Sequence, residues 1–197
     1  VLAISGGLHT ASFNTGLLRA SRRVAPDGMD VEIFDIRGLP FYDGDLEAQG
    51  DSEPVSALKS AIRESDGVIF ATPEYNRGTS GVLKNAIDWA SRDREEGSLM
   101  GKPGTIIGAG DRSGTARAQM QLLETLGETS TIVMVKPGVL IATFAPDTFD
   151  SKGNLISPDM RQLLGRHMEE FAQWIMRVGP RDFVPFACEI DVALAAR

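Results

Sequence analysis

Gly67-Val68-Ile69-Phe70-Ala71-Thr72-Pro73-Glu74-Tyr75-Asn76-Arg77-Gly78-Thr79-Ser80-Gly81-Val82-Leu83-Lys84-Asn85-Ala86-Ile87-Asp88-Trp89 is the stretch that decides how this chain folds. It opens with a short, mostly apolar run, Gly67 to Thr72, in the pattern of a strand buried on both faces. From Ser80 the period changes. Leu83, Ala86, Ile87 and Ala90 fall on one helical stripe, with Lys84, Asn85 and Asp88 largely outside it. The polar loop between strand and helix sits at the strand's carboxyl end, where open α/β sheets bind their ligands.

Asn76, Gly78 and Gly81 in that loop tolerate left-handed or otherwise unusual dihedrals, so backbone N–H groups can turn toward a flat ligand, and Tyr75 offers a ring beside it. A bare Asn-x-Gly-x-x-Gly pattern reads equally well as an ordinary strand-to-helix turn. The longer string is more distinctive. Pro73-Glu74-Tyr75-Asn76 followed by Gly81-Val82-Leu83-Lys84-Asn85-Ala86-Ile87-Asp88-Trp89 resembles the signature of the NADPH-dependent FMN reductase family, which includes quinone and chromate reductases.

Two more loops share this design. The chain opens inside an apparent first strand, Val1-Leu2-Ala3-Ile4-Ser5, and a short leading segment is expected before it. Gly6-Gly7-Leu8-His9-Thr10-Ala11-Ser12-Phe13-Asn14 follows, and then a helix with Leu17, Leu18, Ser21 and Val24 along one side. A Gly- and hydroxyl-rich turn opening a helix is an anion site, because free N–H groups and the positive end of the helix dipole converge there. Ser5, Thr10, Ser12 and Asn14 add side-chain donors, and Ser12 or Asn14 also reads as a helix cap. Family members carry Gly-Ser-Leu-Arg-x-x-Ser-x-Asn here. Gly6, Leu8, Ser12 and Asn14 match it, whereas Gly7 replaces the usual Ser and His9 the usual Arg. The third loop, Ala109-Gly110-Asp111-Arg112-Ser113-Gly114-Thr115, follows the buried strand Gly104–Gly108 and opens a helix expected to turn Ala116, Met120, Leu123 and Leu126 to the core.

The remaining segments complete an α/β pattern. Asp30–Phe34 alternates as a second strand, and Asp35–Gly50 reads as a long acidic, irregular connection. Within it, Leu39-Pro40-Phe41-Tyr42-Asp43 resembles the family stretch that lies near a neighbouring subunit's flavin site. A helix starts near Ser52 with Val55, Leu58 and Ile62 on one face. Arg92-Asp93-Arg94-Glu95-Glu96 is a solvated charge run. Thr131–Val135 is a fifth strand, followed by an irregular stretch to Asn154. Ser157-Pro158-Asp159 then starts a last helix whose buried stripe is Met160, Leu164, Phe171, Ile175 and Val178, with a packed His167 beside it. These segments make one domain, residues 1–178, a flavodoxin-like, doubly wound, five-stranded parallel sheet of order 2-1-3-4-5 with helices on both faces. In that order the ends of strands one, three and four are neighbours around the switch point. The tail, 179–197, has no assigned partner and is expected to be disordered or to serve assembly.

Composition narrows the chemistry. A chain of 197 residues, 42% hydrophobic, buries a full core, and its net charge of −7 lacks the clustered Lys and Arg of a nucleic-acid or anionic-membrane surface. No apolar run approaches the roughly 20 residues of a membrane span. The single cysteine, Cys188, cannot form an internal disulfide and fits a reducing, cytoplasmic setting. Two histidines and one tail cysteine assemble neither a nucleophilic triad nor a zinc site. Such an inventory borrows its chemistry from an organic cofactor.

The resemblance supplies the rest. It implies FMN and NAD(P)H as cofactors, with hydride passing from NAD(P)H to the flavin N5 and two electrons then going to a small acceptor such as a quinone, chromate, an azo compound or free flavin. Ser5, His9, Ser12 and Asn14 would hold the phosphate, with Gly6 and Phe13 also among the cofactor-binding residues. Backbone at Pro73, Glu74, Tyr75 and Asn76 would meet the N5 and O4 edge, and that at Gly110, Asp111 and Gly114 the pyrimidine edge. Arg77 and Arg112 would meet the dinucleotide phosphates or the acceptor, and no side chain is assigned as a proton donor. A homodimer or homotetramer is expected. The alternatives are a flavodoxin-like one-electron carrier, which generally has a Thr-rich phosphate loop, and an FMN-free regulatory relative.

Overall fold

The computed structural model describes residues 1–92 and 97–179; the rest of the charge run and the tail with Cys188 lie outside them. The elements are β1 (Leu2–Ser5), α1 (Phe13–Val24), β2 (Glu32–Phe34), α2 (Gly44–Gln49), α3 (Glu53–Glu64), β3 (Val68–Ala71), α4 (Gly81–Ser91), β4 (Pro103–Gly110), α5 (Ala116–Glu128), β5 (Ile132–Ala142) and α6 (Pro158–Val178). The strands form one sheet of order β2-β1-β3-β4-β5, with every adjacent pair parallel. This is the expected flavodoxin-like order, and it places the ends of β1, β3 and β4 side by side.

Alternation along the central strands divides the core in two. Ala3, Ile69, Ala71, Ile107 and Ala109 meet Leu17 and Leu18 of α1 and Leu164, Met168 and Phe171 of α6. Leu2, Ile4, Val68, Phe70 and Ile106 face the other way, onto Leu58, Ile62, Leu83, Ile87, Leu122 and Leu126 of α3, α4 and α5. Burial on both faces is what the uninterrupted apolar runs required. Hydroxyl caps start the helices where expected: Ser12 accepts from Thr15 N, and Ser157 from Met160 N.

Three expectations are corrected. The connection 35–50 contains α2, because Asp43 caps it by accepting from Asp45 N and Gly50, at φ 101°, closes it; these residues are helix punctuation as well as loop formers. Strand β5 continues to Ala142. Val135–Gly138 bulges out between Met134, paired with Thr105, and Val139, paired with Ile107, so Lys136-Pro137-Gly138 interrupts the strand without ending it. On α5 the buried residues are Ala118, Leu122 and Leu126, whereas Met120 and Leu123 are 73% and 38% exposed. Apolar residues surround much of that helix, and the sheet takes the stripe from which Gln119 Nε2 donates to Val139 O.

His167 packs as expected, 1% exposed, with Nδ1 2.6 Å from Pro137 O and Nε2 3.0 Å from Thr105 Oγ1. Burial lowers its pKa, partly opposed by the Pro137 carbonyl. No helix among the described residues is long and apolar enough to cross a membrane.

Candidate active site

The β1–α1 loop is folded flush against its own helix and against the β3–α4 loop. A Cβ on Gly7 would meet Ser12 Oγ at 2.1 Å, and one on Gly6 would meet Ser80 Oγ at 2.5 Å and Pro73 Cδ at 3.0 Å. Ser5 Oγ accepts from Gly7 N, and Thr15 Oγ1 donates to Gly7 O and bonds Ser5 Oγ. Thus Ser5 braces the loop. Asn14 has a similar task, since its amide exchanges two 2.9 Å bonds with Ala109 N and O and is buried, fastening α1 to β4. Phe13 stacks on Phe149 with ring centroids 4.6 Å apart. His9 is exposed, and its Nδ1 accepts from Ala11 N, so the nitrogen left to meet a ligand is Nε2.

The β3–α4 loop ends in a tight hairpin. Tyr75 and Gly78 exchange N–H···O bonds of 2.9 and 3.0 Å, and the residues between them, Asn76 and Arg77, have φ 51° and 70°. Two successive positive φ values define a type I′ turn. The left-handed positions are therefore Asn76 and Arg77, with Gly78 and Gly81 outside that region. The Tyr75 amide is engaged by Gly78, which leaves those of Asn76 and Arg77 at the tip. Tyr75 itself is 57% exposed.

Glu74 turns away from the tip to the start of α5, accepting from Arg117 N at 3.0 Å, Ala118 N at 3.3 Å and Arg117 Nη1 at 3.2 Å. Burial would raise this carboxyl, but the Ala118 N–H, the Arg117 guanidinium and the Arg117 N–H together hold it below the usual carboxylate range. The β4–α5 loop closes the floor. Gly114 at φ 62° donates to Asp111 O and lies against Leu140, Gly110 accepts from Thr143 N at 2.7 Å, and Arg112 is exposed.

These contacts join the three loops into one surface at the switch point. First turns differ around the molecule: α1, α4 and α5 carry no acid there, whereas α2, α3 and α6 each carry at least one. Glu74 occupies the start of α5, so the ends left without a carboxylate are those of α1 and α4. Helix ends attract anions, and an acid-free first turn with unpaired N–H groups suits a phosphate.

A model of NADPH-dependent FMN reductases matches residues 1–146. The chain belongs to that family. The NAD(P)H-dependent FMN reductase of Pseudomonas aeruginosa is 41% identical over 179 residues, covering 90% of this chain and 96% of its own. The 2-hydroxy-1,4-benzoquinone reductase of a Burkholderia species is 37% identical over 176 residues, covering 89% and 95%. The structure of the flavoenzyme NAD(P)H:(acceptor) oxidoreductase FerB of Paracoccus denitrificans superposes with a TM-score of 0.81 at 32% identity, covering 91% of this chain and 98% of that one. This family member is accordingly an oxidoreductase working with FMN and NAD(P)H.

Within the reductase's site, sequence reasoning missed Thr15, Gln121 and Thr143. Gln121 Oε1 accepts from Thr79 N and lies beside Gly78, steadying the hairpin from α5. Nothing local marks Gln121 or Thr143, because each acts on a loop distant in sequence. The reductase also has no group of His, Cys, Asp and Glu able to hold a metal among its described residues.

Proposed function

We propose that the chain is a two-electron quinone reductase in which NAD(P)H reduces FMN bound at the three-loop surface and a small quinone is reduced in its place after the dinucleotide leaves. The observation that carries this is the β1–α1 loop, its glycines packed flush, its helix end free of acids, and its Ser5 and Ser12 buried. A phosphate there would be held by Ser12, His9 Nε2, Thr10 and the amides of the loop and the first turn, with Ser5, Thr15 and Asn14 keeping that loop in shape. When bound, FMN supplies the hydride chemistry: it takes two electrons and a proton from NAD(P)H and passes two electrons on.

The remaining work falls to this chain. The amides of Asn76 and Arg77 would orient the ring's reactive edge, Tyr75 would flank it, and Gly110–Gly114 backbone would meet its pyrimidine edge. Arg77 and Arg112 would bind dinucleotide phosphates, since each is an exposed guanidinium at the rim. Reduction of a quinone to a hydroquinone consumes two protons, one carried with the hydride and one drawn from water. The Burkholderia relative, named for a benzoquinone, supports a quinone over chromate, azo compounds or free flavin. We also infer a homodimer or homotetramer, supported by exposed Met120 and Leu123 on α5 and Met176 on α6.

Anaerobic mixing with FMN and then NADPH or NADH tests this directly. The expected result is complete bleaching without accumulated semiquinone, followed by reoxidation on adding a benzoquinone. Accumulation of a stable semiquinone would indicate a carrier, and a protein that takes up no FMN would end both flavin readings.

A further inference from the structure

Two cavities lie away from the three-loop surface. One of about 210 Å³ opens between α1, the 150–154 turn and the start of α6, lined by Gly16, Arg19, Ala20, Arg23, Val24, Asn154, Leu155 and Arg161. Three of its eight lining residues are arginines and none is an acid. That is unexpected in a chain of net charge −7.

The guanidiniums are unneutralised. None of the three is paired with a carboxylate among the described residues. Arg19 donates to Asn154 Oδ1 at 2.9 Å and to Lys152 O at 3.3 Å, and Arg161 donates twice to Leu155 O, at 3.0 and 2.8 Å. These neutral acceptors fix direction without cancelling charge. Arg23 holds no side-chain hydrogen bond or ion pair among the described residues. The nearby acid, Asp150, is committed to its own turn, accepting from Lys152 N, Asn154 N and Asn154 Nδ2. It orients the Asn154 amide whose oxygen holds Arg19, and it does not line the cavity.

Two features of this arrangement are unfavourable. Arg19 and Arg23 stand four apart on α1, a like-charge pair on one helix face. Arg161 lies at the start of α6, where the helix dipole disfavours a cation. A bound polyanion would offset these repulsions at once, because guanidiniums bind phosphoryl and carboxylate oxygens with parallel, charge-assisted hydrogen bonds. The volume limits the ligand's size, since pockets for drug-sized molecules start at roughly 300 Å³.

We propose that this cavity is a second ligand site, separate from the three-loop surface, which binds a small polyanion of diphosphate or tricarboxylate size. The apolar floor of Ala20, Val24 and Leu155 excludes water beneath the anion while the three guanidiniums surround it.

Calorimetric titration of the FMN-saturated protein at low ionic strength with pyrophosphate and, separately, with citrate tests the site. Saturation with FMN fills any anion site in the β1–α1 loop. One saturable site per chain is expected, weakened about tenfold by Arg23→Gln and by Arg161→Gln, the loss of one charge-assisted contact. Arg22→Gln, the same charge change one position along α1 at an exposed residue outside the cavity, should leave affinity unchanged. Preference for pyrophosphate identifies a phosphoryl ligand, and preference for citrate a polycarboxylate. Absence of saturable binding to either anion, or equal losses in Arg22→Gln and Arg23→Gln, would overturn the proposal. Arg23 makes no side-chain hydrogen bond or ion pair among the described residues, so its variant remains informative if Arg161→Gln is unstable.

Discussion

Asn14 carries a structural task that its place in a phosphate-loop pattern does not reveal. An Asn in a phosphate-loop pattern suggests a ligand contact, and here the amide also bonds both N and O of Ala109, a residue 95 positions away. Removing it would leave a buried N–H and C=O unpaired, so Asn14→Ala should cost roughly 3 kcal/mol in urea unfolding, since each orphaned group costs about 1–3. A cost below about 0.5 kcal/mol would mean that water replaces the amide. Arg77 is the opposite case. At φ 70° it occupies backbone that glycine prefers. Arg77→Gly relieves that strain but frees the unfolded chain, and stability should stay within about 1 kcal/mol of the parent. Its KM for NADPH should rise about tenfold, as loss of a charge-assisted hydrogen bond predicts, with the quinone step unchanged. An unaltered KM would place the dinucleotide elsewhere.

At the scale of elements, the sequence disclosed whatever depends on neighbours in the chain: strand runs, helix stripes, the Ser12 and Ser157 caps and the three glycine loops. What it concealed depends on contacts across the fold. The α5 face was settled by β5 and by Glu74, and the β5 bulge is held beside His167. Short α2 hid in an acidic, Gly-containing stretch because a cap and a stop resemble a loop when only six residues separate them. Glu74 has a measurable signature. Its folded carboxyl titrates below the unfolded value of about 4.3, so the stabilisation it gives is complete above that pH and is lost as pH falls through the folded value. The parent should therefore be more stable than Glu74→Gln at neutral pH, the gap closing on the acid side in melts between pH 7 and 3. A gap constant with pH would show that the carboxylate's charge is irrelevant.

At the scale of the molecule, the two-sided core leaves the outer faces of α5 and α6 partly apolar, and these are the surfaces proposed for self-association. Sedimentation at micromolar concentration should show a dimer or tetramer, and Met120→Glu with Leu123→Glu should shift it to smaller species while the chain stays folded. A parent that sediments as a monomer would refute the assembly. The bond from Glu74 to α5 also gives the molecule a clock. First-turn amides of a helix ordinarily trade their protons with water within moments, having no carbonyl to hold them. Those of Arg117 and Ala118 are held by a carboxylate from another loop, so the rate at which they take up deuterium counts how often the 72–80 loop lifts away from α5. Isotope uptake at two backbone positions thereby times the opening of the reductase's floor, with no cofactor, substrate or dye required.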